Sequence, residues 1–562
     1  MTGTITAKRA PAEKVARRIL NLDDIQGHVT RAYGRYSFPF ARYLFLQIAE
    51  TEAGREFVDQ IRPLVTTAAD WGDAKPKVTV NIGFSFFGLY MLGLPTRTLQ
   101  TMPEAFVDGM KARAFILGDR DPTKTESESG AWCRHWDPIW QQNRMGKDGT
   151  DVHIWIGLNA QAVADGSDQP HPALEEQTEW LRQLCARLGQ KVRILATNGP
   201  SGTEEYQSAS AVFTQIGGLR VPTPREHFGL TDGIGDPVFE GQYTDPEAER
   251  QAVIGRGKWM QADKGWQPLA AGEFILGYPD ESQELPPVPQ PPSFSRNGSF
   301  MTYRKLHENV ATFDAVIAAE AQRFARVMAI PEAEAVETLK AKMVGRWSDG
   351  VPMSVAPTHA EWIKVRADTG MDEPDPLKAL IAQRDYLKST AASNFRFADD
   401  MDGIKCPGGA HLRRVNTRDY LDPLNAPSGK NPKATDQLNK RRRVIRRGLP
   451  YGPTVPTERR DDIEQGVVMM TVGASIFRQF EFVQQQWIQY GLDFNQGNNT
   501  CPLVGNHEAH SRYTIPGDPR TGRPPYFMSG LKTFVECRGG EYFFLPSLTA
   551  LQMMALGIVD PT

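Results

Sequence analysis

The chain has 562 residues, of which 40% are hydrophobic and 23% charged, and a net charge of −3. Such a chain has the composition of a globular protein with a large core and no overall attraction to polyanions, so a basic patch would act only locally. It lacks an apolar run of the roughly 20 residues that cross a bilayer, and no hydrophobic segment follows its basic N-terminus. Five widely spaced cysteines are typical of a reducing compartment, so we expect a cytoplasmic protein.

Apolar runs of strand length and helix-period segments alternate along the chain. The strand-like runs are "RYLFLQI" from Arg42, "VTVNIGFS" from Val78, "VHIWIGLN" from Val152, "GVVMMTV" from Gly466 and "EYFFLP" from Glu541. The helix-like segments include "PALEEQTEWLRQLCARLG" from Pro172 and "ATFDAVIAAEAQRFARVM" from Ala311. The strands lack the even spacing of a βαβ barrel, and no glycine-rich phosphate motif follows them. The pattern predicts an α+β fold with antiparallel sheets.

The first stretch that could carry chemistry is "REHFGLTDGIGDP", in which Asp232 lies between Gly229 and Gly233. Glycines on both sides permit a tight turn and a close approach of the backbone to a ligand. An isolated Asp-Gly pair is more commonly an ordinary turn.

The second stretch is "DGIKCPGGAHLRRVN", where His411 follows a Pro-Gly-Gly loop and begins a basic segment. A lone histidine is more often a surface or core residue than a ligand. Cys406 lies five residues before it, but no further ligands are nearby for a zinc site.

The third stretch is "KRRRVIRRGLPYG", from Lys440 to Gly452. Its cations could form a solvated face or a nucleic-acid patch. However, Val444 and Ile445 precede Arg446, and an abrupt turn follows Arg447. An arginine between apolar neighbours and a Gly-Pro turn is more consistent with a fixed position inside a site.

Taken together and in this order, these stretches resemble the dye-decolorizing peroxidases, a family of haem enzymes, over nearly the whole chain. "GLTDG" resembles the family's G-x-x-D-G signature, and "FADDMDGIKCPGGAHLRRVNTRD" its haem-ligand segment. "RRRVIRRGLPYGP" is similar to the distal-arginine segment, and "ASIFRQFEFVQQQW" and "RGGEYFFLPSL" to the closing elements. The opening segment "DIQGHVTRAYGRYSFPFARYLFLQI" also agrees, with His28 where asparagine is more usual. The length suggests the larger bacterial and fungal subgroup.

The resemblance implies a haem site and the residues that form it. His411 would be the axial ligand of the iron of haem b, with a carboxylate partner that the sequence does not identify and for which Glu481 and Asp493 are candidates. Asp232 would carry the proton of peroxide, and Arg446 would stabilise negative charge beside it. A carboxylate with an ordinary pKa near 3.9 is a base even in acid, so we expect an acidic optimum.

Further roles follow from the same resemblance. Val468 and Met470 would line the distal face of the haem. Large dyes cannot enter a small pocket, so Tyr451 is the first candidate for relaying electrons to the surface. For Trp487, core packing is the preferred interpretation. Arg441 to Arg443 would either be solvated or contact the haem propionates.

The implied fold is a pair of ferredoxin-like halves, residues 22–235 and residues 236–557, with haem held mainly in the C-terminal half. The implied activity is reduction of hydrogen peroxide with oxidation of dyes or other bulky donors, without a nucleic-acid or membrane partner. Alternatives are a haem carrier or iron-release protein, and a related α+β barrel enzyme that cleaves chlorite or decarboxylates an iron porphyrin. Asp232 argues against that barrel enzyme. A nucleic-acid-binding chain would need the basic run to be free.

Overall fold

The computed structural model describes residues 20–121, 132–141, 151–425, 433–455, 458–508 and 510–559. Its centre is a ten-stranded sheet in which every strand pair is antiparallel. The strands are β1 (Phe40–Ile48), β2 (Val78–Phe84), β3 (Ile154–Ala160), β4 (Val192–Ile194), β5 (Gln207–Ser210), β6 (Ser299–Glu308), β7 (Ile445–Arg447), β8 (Pro450–Tyr451), β9 (Gly466–Gly473) and β10 (Val535–Leu545). This agrees with the antiparallel α+β prediction.

The sheet has two parts that meet at a single pair of strands. The spatial order is β7-β9-β6-β10-β2-β3-β1-β4, with β8 beside β9 and β5 beside β1. Strands β1 to β5 form one part and β6 to β10 the other, joined where Phe544 of β10 pairs with Phe84 of β2. Three two-stranded sheets lie outside it: Phe213–Ile216 with Leu219–Pro222, Lys258–Trp259 with Trp266–Gln267, and Arg512–Ile515 with Tyr526–Ser529.

Helices pack around both parts of the sheet. Those of seven or more residues are Thr51–Ile61, Glu104–Ala112, Ala173–Arg187, Pro246–Ala252, Val310–Met328, Glu332–Val344, His359–Thr369, Pro376–Lys388 and Leu548–Leu556. Shorter helices are Gly27–Thr30, Phe86–Met91, Thr96–Leu99, Ala114–Leu117, Pro138–Gln141, Pro292–Ser295 and His411–Val415, and two π-helices span Phe477–Glu481 and Val483–Ile488. Within the described ranges no helix combines the length and apolarity needed to cross a membrane.

Helix Val310–Met328 shows how the sequence pattern becomes structure. Its buried side chains Phe313, Ile317 and Phe324 recur at helical spacing and face the second of two hydrophobic cores. The carboxylate of Asp461 accepts hydrogen bonds from the backbone N–H groups of residues 311 and 312, which satisfies the first turn. The predicted helix is therefore present with nearly the predicted bounds.

Candidate active site

A cavity of about 1800 Å³ lies beside the C-terminal part of the sheet. The Asp232 loop, strands β7 and β9 and the short helix His411–Val415 all contribute to its wall. Asp232, His411 and Arg446, which the sequence predicted as site residues, line this one cavity. The cavity exceeds the roughly 300–1,000 Å³ of an ordinary small-molecule pocket, so it has room for a large cofactor and an access route.

Asp232 is held in a tight loop by its flanking glycines. Gly229 and Gly233 have φ angles of 84° and 81°, which L side chains rarely adopt. The backbone N–H of Asp232 donates to the carbonyl of Pro224 at 2.9 Å. The glycines thus allow the chain to double back and direct the carboxylate into the cavity, as predicted from the signature.

Two arginines hold the Asp232 carboxylate. The Arg35 guanidinium donates to Oδ2 at 2.9 Å, and Arg446 forms an ion pair with Oδ1. Burial by itself raises the pKa of Asp232, but the charges of Arg446 and Arg35 outweigh it and hold that pKa well below its ordinary value. The carboxylate is therefore ionised far into the acid range.

The basic run "KRRRVIRRG" is distributed among separate contacts inside the molecule. Lys440 lies near Glu281, Arg441 pairs with Asp280, and the Arg442 guanidinium stacks on a phenylalanine ring. On β7, Arg446 turns to Asp232, whereas its neighbour Arg447 turns to Asp236 at 2.6 Å, because successive side chains of a strand alternate. These contacts favour the pocket interpretation of the run over a nucleic-acid patch.

His411 begins a five-residue helix that two buried arginines anchor. Arg413 pairs with Asp400 at 2.5 Å and stacks on Phe397. Arg414 donates to backbone carbonyl groups of residues 409, 487, 490 and 499. The two arginines of the "HLRR" segment therefore form buried contacts that hold the helix of His411 in place.

The His411 ring does not contact either predicted carboxylate. Glu481 accepts two hydrogen bonds from Arg113, at 2.6 and 2.7 Å, and Asp493 accepts one from the Trp487 indole. Both predicted partners were wrong. The Nδ1 atom of His411 instead lies 3.4 Å from the sulfur of Cys501.

Three further arginines give the cavity wall an excess of positive charge. Arg346, Arg418 and Arg443 are buried or nearly so, line the cavity and donate to backbone carbonyl oxygens. Across the described ranges none of the three forms an ion pair with a carboxylate. Burial lowers the pKa of Arg346 and Arg443 to about 10 and that of Arg418 to about 9, although the charge of Asp436 opposes the shift in the latter two.

Buried cations that form no direct ion pair are costly, so this wall is suited to an anionic ligand. The propionate groups of haem are anions of this kind, and the imidazole of His411 is a donor that haem iron accepts. The residues present therefore fit haem. Arg443 is the one member of the predicted Arg441–Arg443 group that reaches the cavity.

The prediction that Val468 and Met470 line the cavity was wrong. Both are fully buried in the core behind the sheet. The cavity wall is formed by their neighbours Val467 and Met469, together with Thr471. The alternation was correctly read as a strand, but only tertiary packing decides which of its two faces meets the cavity.

Tyr451 does not lie at the surface, contrary to its predicted use as a surface relay. Its side chain is 2% exposed, its ring lies 5.1 Å from the Lys305 ammonium, and it does not line the cavity. Trp487 is also buried, between Phe482 and Phe494, which confirms the preferred interpretation of core packing.

Sequence reasoning missed Arg35 and Cys501. Arg35 lies almost 200 residues before Asp232 in "RAYGRYS", within the opening segment that resembles the family, but the resemblance was not carried to Arg35 itself. Cys501 is 90 residues from His411, and in the sequence it indicates no more than a reducing compartment. No local signal marks either residue, because their importance comes from contacts that only the folded chain creates.

Fold and site together define an α+β protein with a large cavity suited to an anionic cofactor. No family model matches the chain. Among curated proteins, peroxidase 2 of Mycetinis scorodonius is 28% identical over 556 residues, covering 95% of this chain and 87% of that protein. The multifunctional dye peroxidase DyP2 of Amycolatopsis sp. is 24% identical and covers 99% of both chains.

Solved structures agree with this comparison. The fungal DyP-type peroxidase of Auricularia auricula-judae superposes with a TM-score of 0.66 at 21% identity, covering 96% of this chain and all of that one. An ancestral D-type dye-decolorizing peroxidase gives a TM-score of 0.65 at 24% identity and covers 95% and 99%. The resemblance predicted from the sequence is confirmed: relatives and structural neighbours over most of the chain are dye-decolorizing peroxidases, and this chain has their α+β fold.

Proposed function

We propose that this protein is a haem peroxidase that reduces hydrogen peroxide and oxidises dyes or other bulky organic donors. The observation that carries the proposal is the convergence of His411, Asp232 and Arg446 on one cavity whose wall also contains buried arginines that form no direct ion pair within the described residues. Haem, when bound, supplies the iron that reacts with peroxide and stores its oxidising equivalents. The cofactor proposed is haem b.

The residues of the cavity divide the remaining work. His411 would hold the iron through its free ring nitrogen, and Arg346, Arg418 and Arg443 would bind the propionates. Asp232, ionised and aimed into the cavity, would accept the first proton of peroxide and return it to the departing oxygen, so that water leaves. Arg446 would stabilise the negative charge that develops there.

Two broader features belong to the proposal. The domain division at residues 22–235 and 236–557 is supported by the strand order, because among the described strands the two sets of five pair with each other only through β2 and β10. Asp232 would then lie on the segment that connects the halves. Cytoplasmic residence is supported by Cys185, Cys406, Cys501 and Cys537, which are buried thiols outside any disulfide, as expected for a reducing compartment.

The test is an absorption spectrum of the purified protein reconstituted with hemin, before and after one equivalent of hydrogen peroxide. We expect a Soret band that shifts on addition of peroxide and returns when an anthraquinone dye is added and bleached. A pyridine haemochrome measurement identifies haem b. Bound haem that ignores peroxide would contradict the peroxidase proposal and would fit a haem carrier, and protein that binds no hemin would contradict both.

The pH dependence of turnover should reveal the effect of Arg35 and Arg446 on the pKa of Asp232. Proton acceptance needs the ionised carboxylate, which exists only above its pKa, and Arg446 and Arg35 lower that pKa. Activity should therefore persist in acid and fall only below the ordinary aspartate pKa of about 3.9. In Arg35→Gln one cation is lost, so the acid limb should move up by about one pH unit.

The measurement is the peroxide dependence of kcat/KM across the acid range, compared between the natural protein, Arg35→Gln and a control. Arg31→Gln is the control, because Arg31 is close in sequence but lies 3.6 Å from Asp70 instead. An acid limb that stays in place in Arg35→Gln would exclude Asp232 as the proton acceptor.

A further inference from the structure

We propose that Cys501 orients and electronically tunes the His411 imidazole through a hydrogen bond from Nδ1–H to its sulfur. The inference rests on the proposed ligation of haem iron by His411. The two atoms lie 3.4 Å apart, within hydrogen-bonding distance for sulfur, and Cys501 is fully buried in the second core. Cys501 is therefore a positioning residue, since it acts through the ligand and does not itself line the cavity.

Ligation decides the direction of this hydrogen bond. A neutral imidazole carries one proton, and the nitrogen that binds iron must be the one without it. Because Nδ1 of His411 is occupied by Cys501, Nε2 is the nitrogen left for the iron. Nδ1 must then keep the proton and the sulfur must accept it. The opposite arrangement, with S–H donating to Nδ1, would place the proton on Nε2 and prevent ligation.

The surrounding chain is built to keep this contact. Arg414, three residues after His411, donates to the carbonyl of Gly409 at 2.9 Å and to that of Asn499 at 2.9 Å. One guanidinium thus ties the histidine segment to the cysteine segment. The Cys501 N–H donates to the Ile488 carbonyl at 2.7 Å, and the Cys501 carbonyl accepts from Gly505 at 3.0 Å. The sulfur is therefore fixed relative to the ring.

No competing acceptor takes this place. Over the residues that the structure describes, the Cys501 sulfur is the hydrogen-bond partner found for the His411 ring, and Glu481 and Asp493 are bound to Arg113 and Trp487. Partners of a metal-bound histidine fix its tautomer and raise its basicity, and their loss typically weakens metal binding about 10- to 100-fold. The Cys501 sulfur should thus set both haem affinity and reduction potential.

The experiment compares the hemin-loaded natural protein with Cys501→Val and Cys501→Ala, which lack an acceptor, and with Cys501→Asp, which restores one. The readouts are the ferric/ferrous reduction potential, the iron–histidine stretching frequency of the ferrous protein and the hemin affinity. In the Val and Ala variants we expect a higher potential, a lower stretching frequency and affinity reduced about 10- to 100-fold. In Cys501→Asp, whose carboxylate accepts more strongly than the sulfur, the potential should be lower and the frequency higher than in the natural protein.

Cys185→Val is the matched control. Cys185 is also buried, but it lies in the other core and away from the cavity, so none of the three readouts should change. If either acceptor-free variant folds and shows the potential and stretching frequency of the natural protein, the inference is overturned. If neither folds, Cys501→Asp provides the test. A Cys501→Asp protein with the same potential and stretching frequency as the natural protein would also overturn the inference.

The two levels of the proposal fail differently. Natural protein that binds hemin without an iron–histidine band would overturn His411 ligation, and the inference with it. If the natural protein shows the iron–histidine band and the Cys501 variants show the same band unaltered, only the role of Cys501 would be overturned.

Discussion

Replacing Asp232 by asparagine should slow the reaction with hydrogen peroxide by about 10²- to 10⁴-fold, the usual contribution of a positioned acid–base group. The amide keeps the size of the side chain and can still contact Arg35 and Arg446, so the cavity should retain its shape. What it loses is the ability to take and return a proton. Stopped-flow mixing of hemin-loaded protein with peroxide measures this step directly.

Asp137→Asn provides the control for this prediction. Asp137 is likewise a buried carboxylate paired with a cation, Lys305 at 2.5 Å, but it is not part of the cavity wall. Its replacement should affect stability and leave the peroxide step intact. An Asp232→Asn variant that reacts with peroxide as fast as the natural protein would remove the carboxylate from the proposed chemistry, even if hemin binding were normal.

Replacing His411 by alanine should remove the axial ligand and, with it, the spectrum of the imidazole-bound haem. The substitution removes a side chain whose ring is itself an imidazole, so added imidazole should fit into the vacated space beside Cys501. It should then restore the absorption spectrum and part of the peroxide reactivity. Titration of the hemin-loaded variant with imidazole, followed by its absorption, measures the effect.

His28→Ala serves as the comparison, because His28 is a buried histidine that also lines the cavity. Hemin bound to that variant should keep the unaltered spectrum and should not respond to imidazole in the same way. A His411→Ala protein whose bound pigment is indistinguishable from that of the natural protein would show that another group holds the iron.

Local sequence was sufficient for several parts of the site. The Asp232 turn could be predicted because glycines at 229 and 233 permit backbone conformations that other residues avoid. Arg446 could be chosen from its place in the segment that resembles the family's distal-arginine segment, and strand alternation adds that Arg447 faces the opposite way. Both arguments use only a few consecutive residues, and the structure places Asp232 and Arg446 in direct contact.

The wrong predictions share a physical cause. An alternating strand has two faces, and nothing within "GVVMM" says that Val467 and Met469 meet the cavity while Val468 and Met470 meet the core. Likewise, a buried carboxylate close in sequence to a motif can pair with a cation from a distant part of the chain, as Glu481 does with Arg113. Each choice depends on what packs against the residue.

The amino-acid sequence by itself determined the antiparallel α+β class and the tight loop of Asp232, because periodicity and turn chemistry are local properties, and the resemblance of its motifs to a known family indicated the three residues that meet in the cavity. Only the tertiary structure decided that Arg35 joins Asp232, that unpaired arginines line the wall and that Cys501 lies against His411. These contacts join residues separated by tens to hundreds of positions. Their energies depend on burial and charge in the folded state, which no short stretch of sequence records.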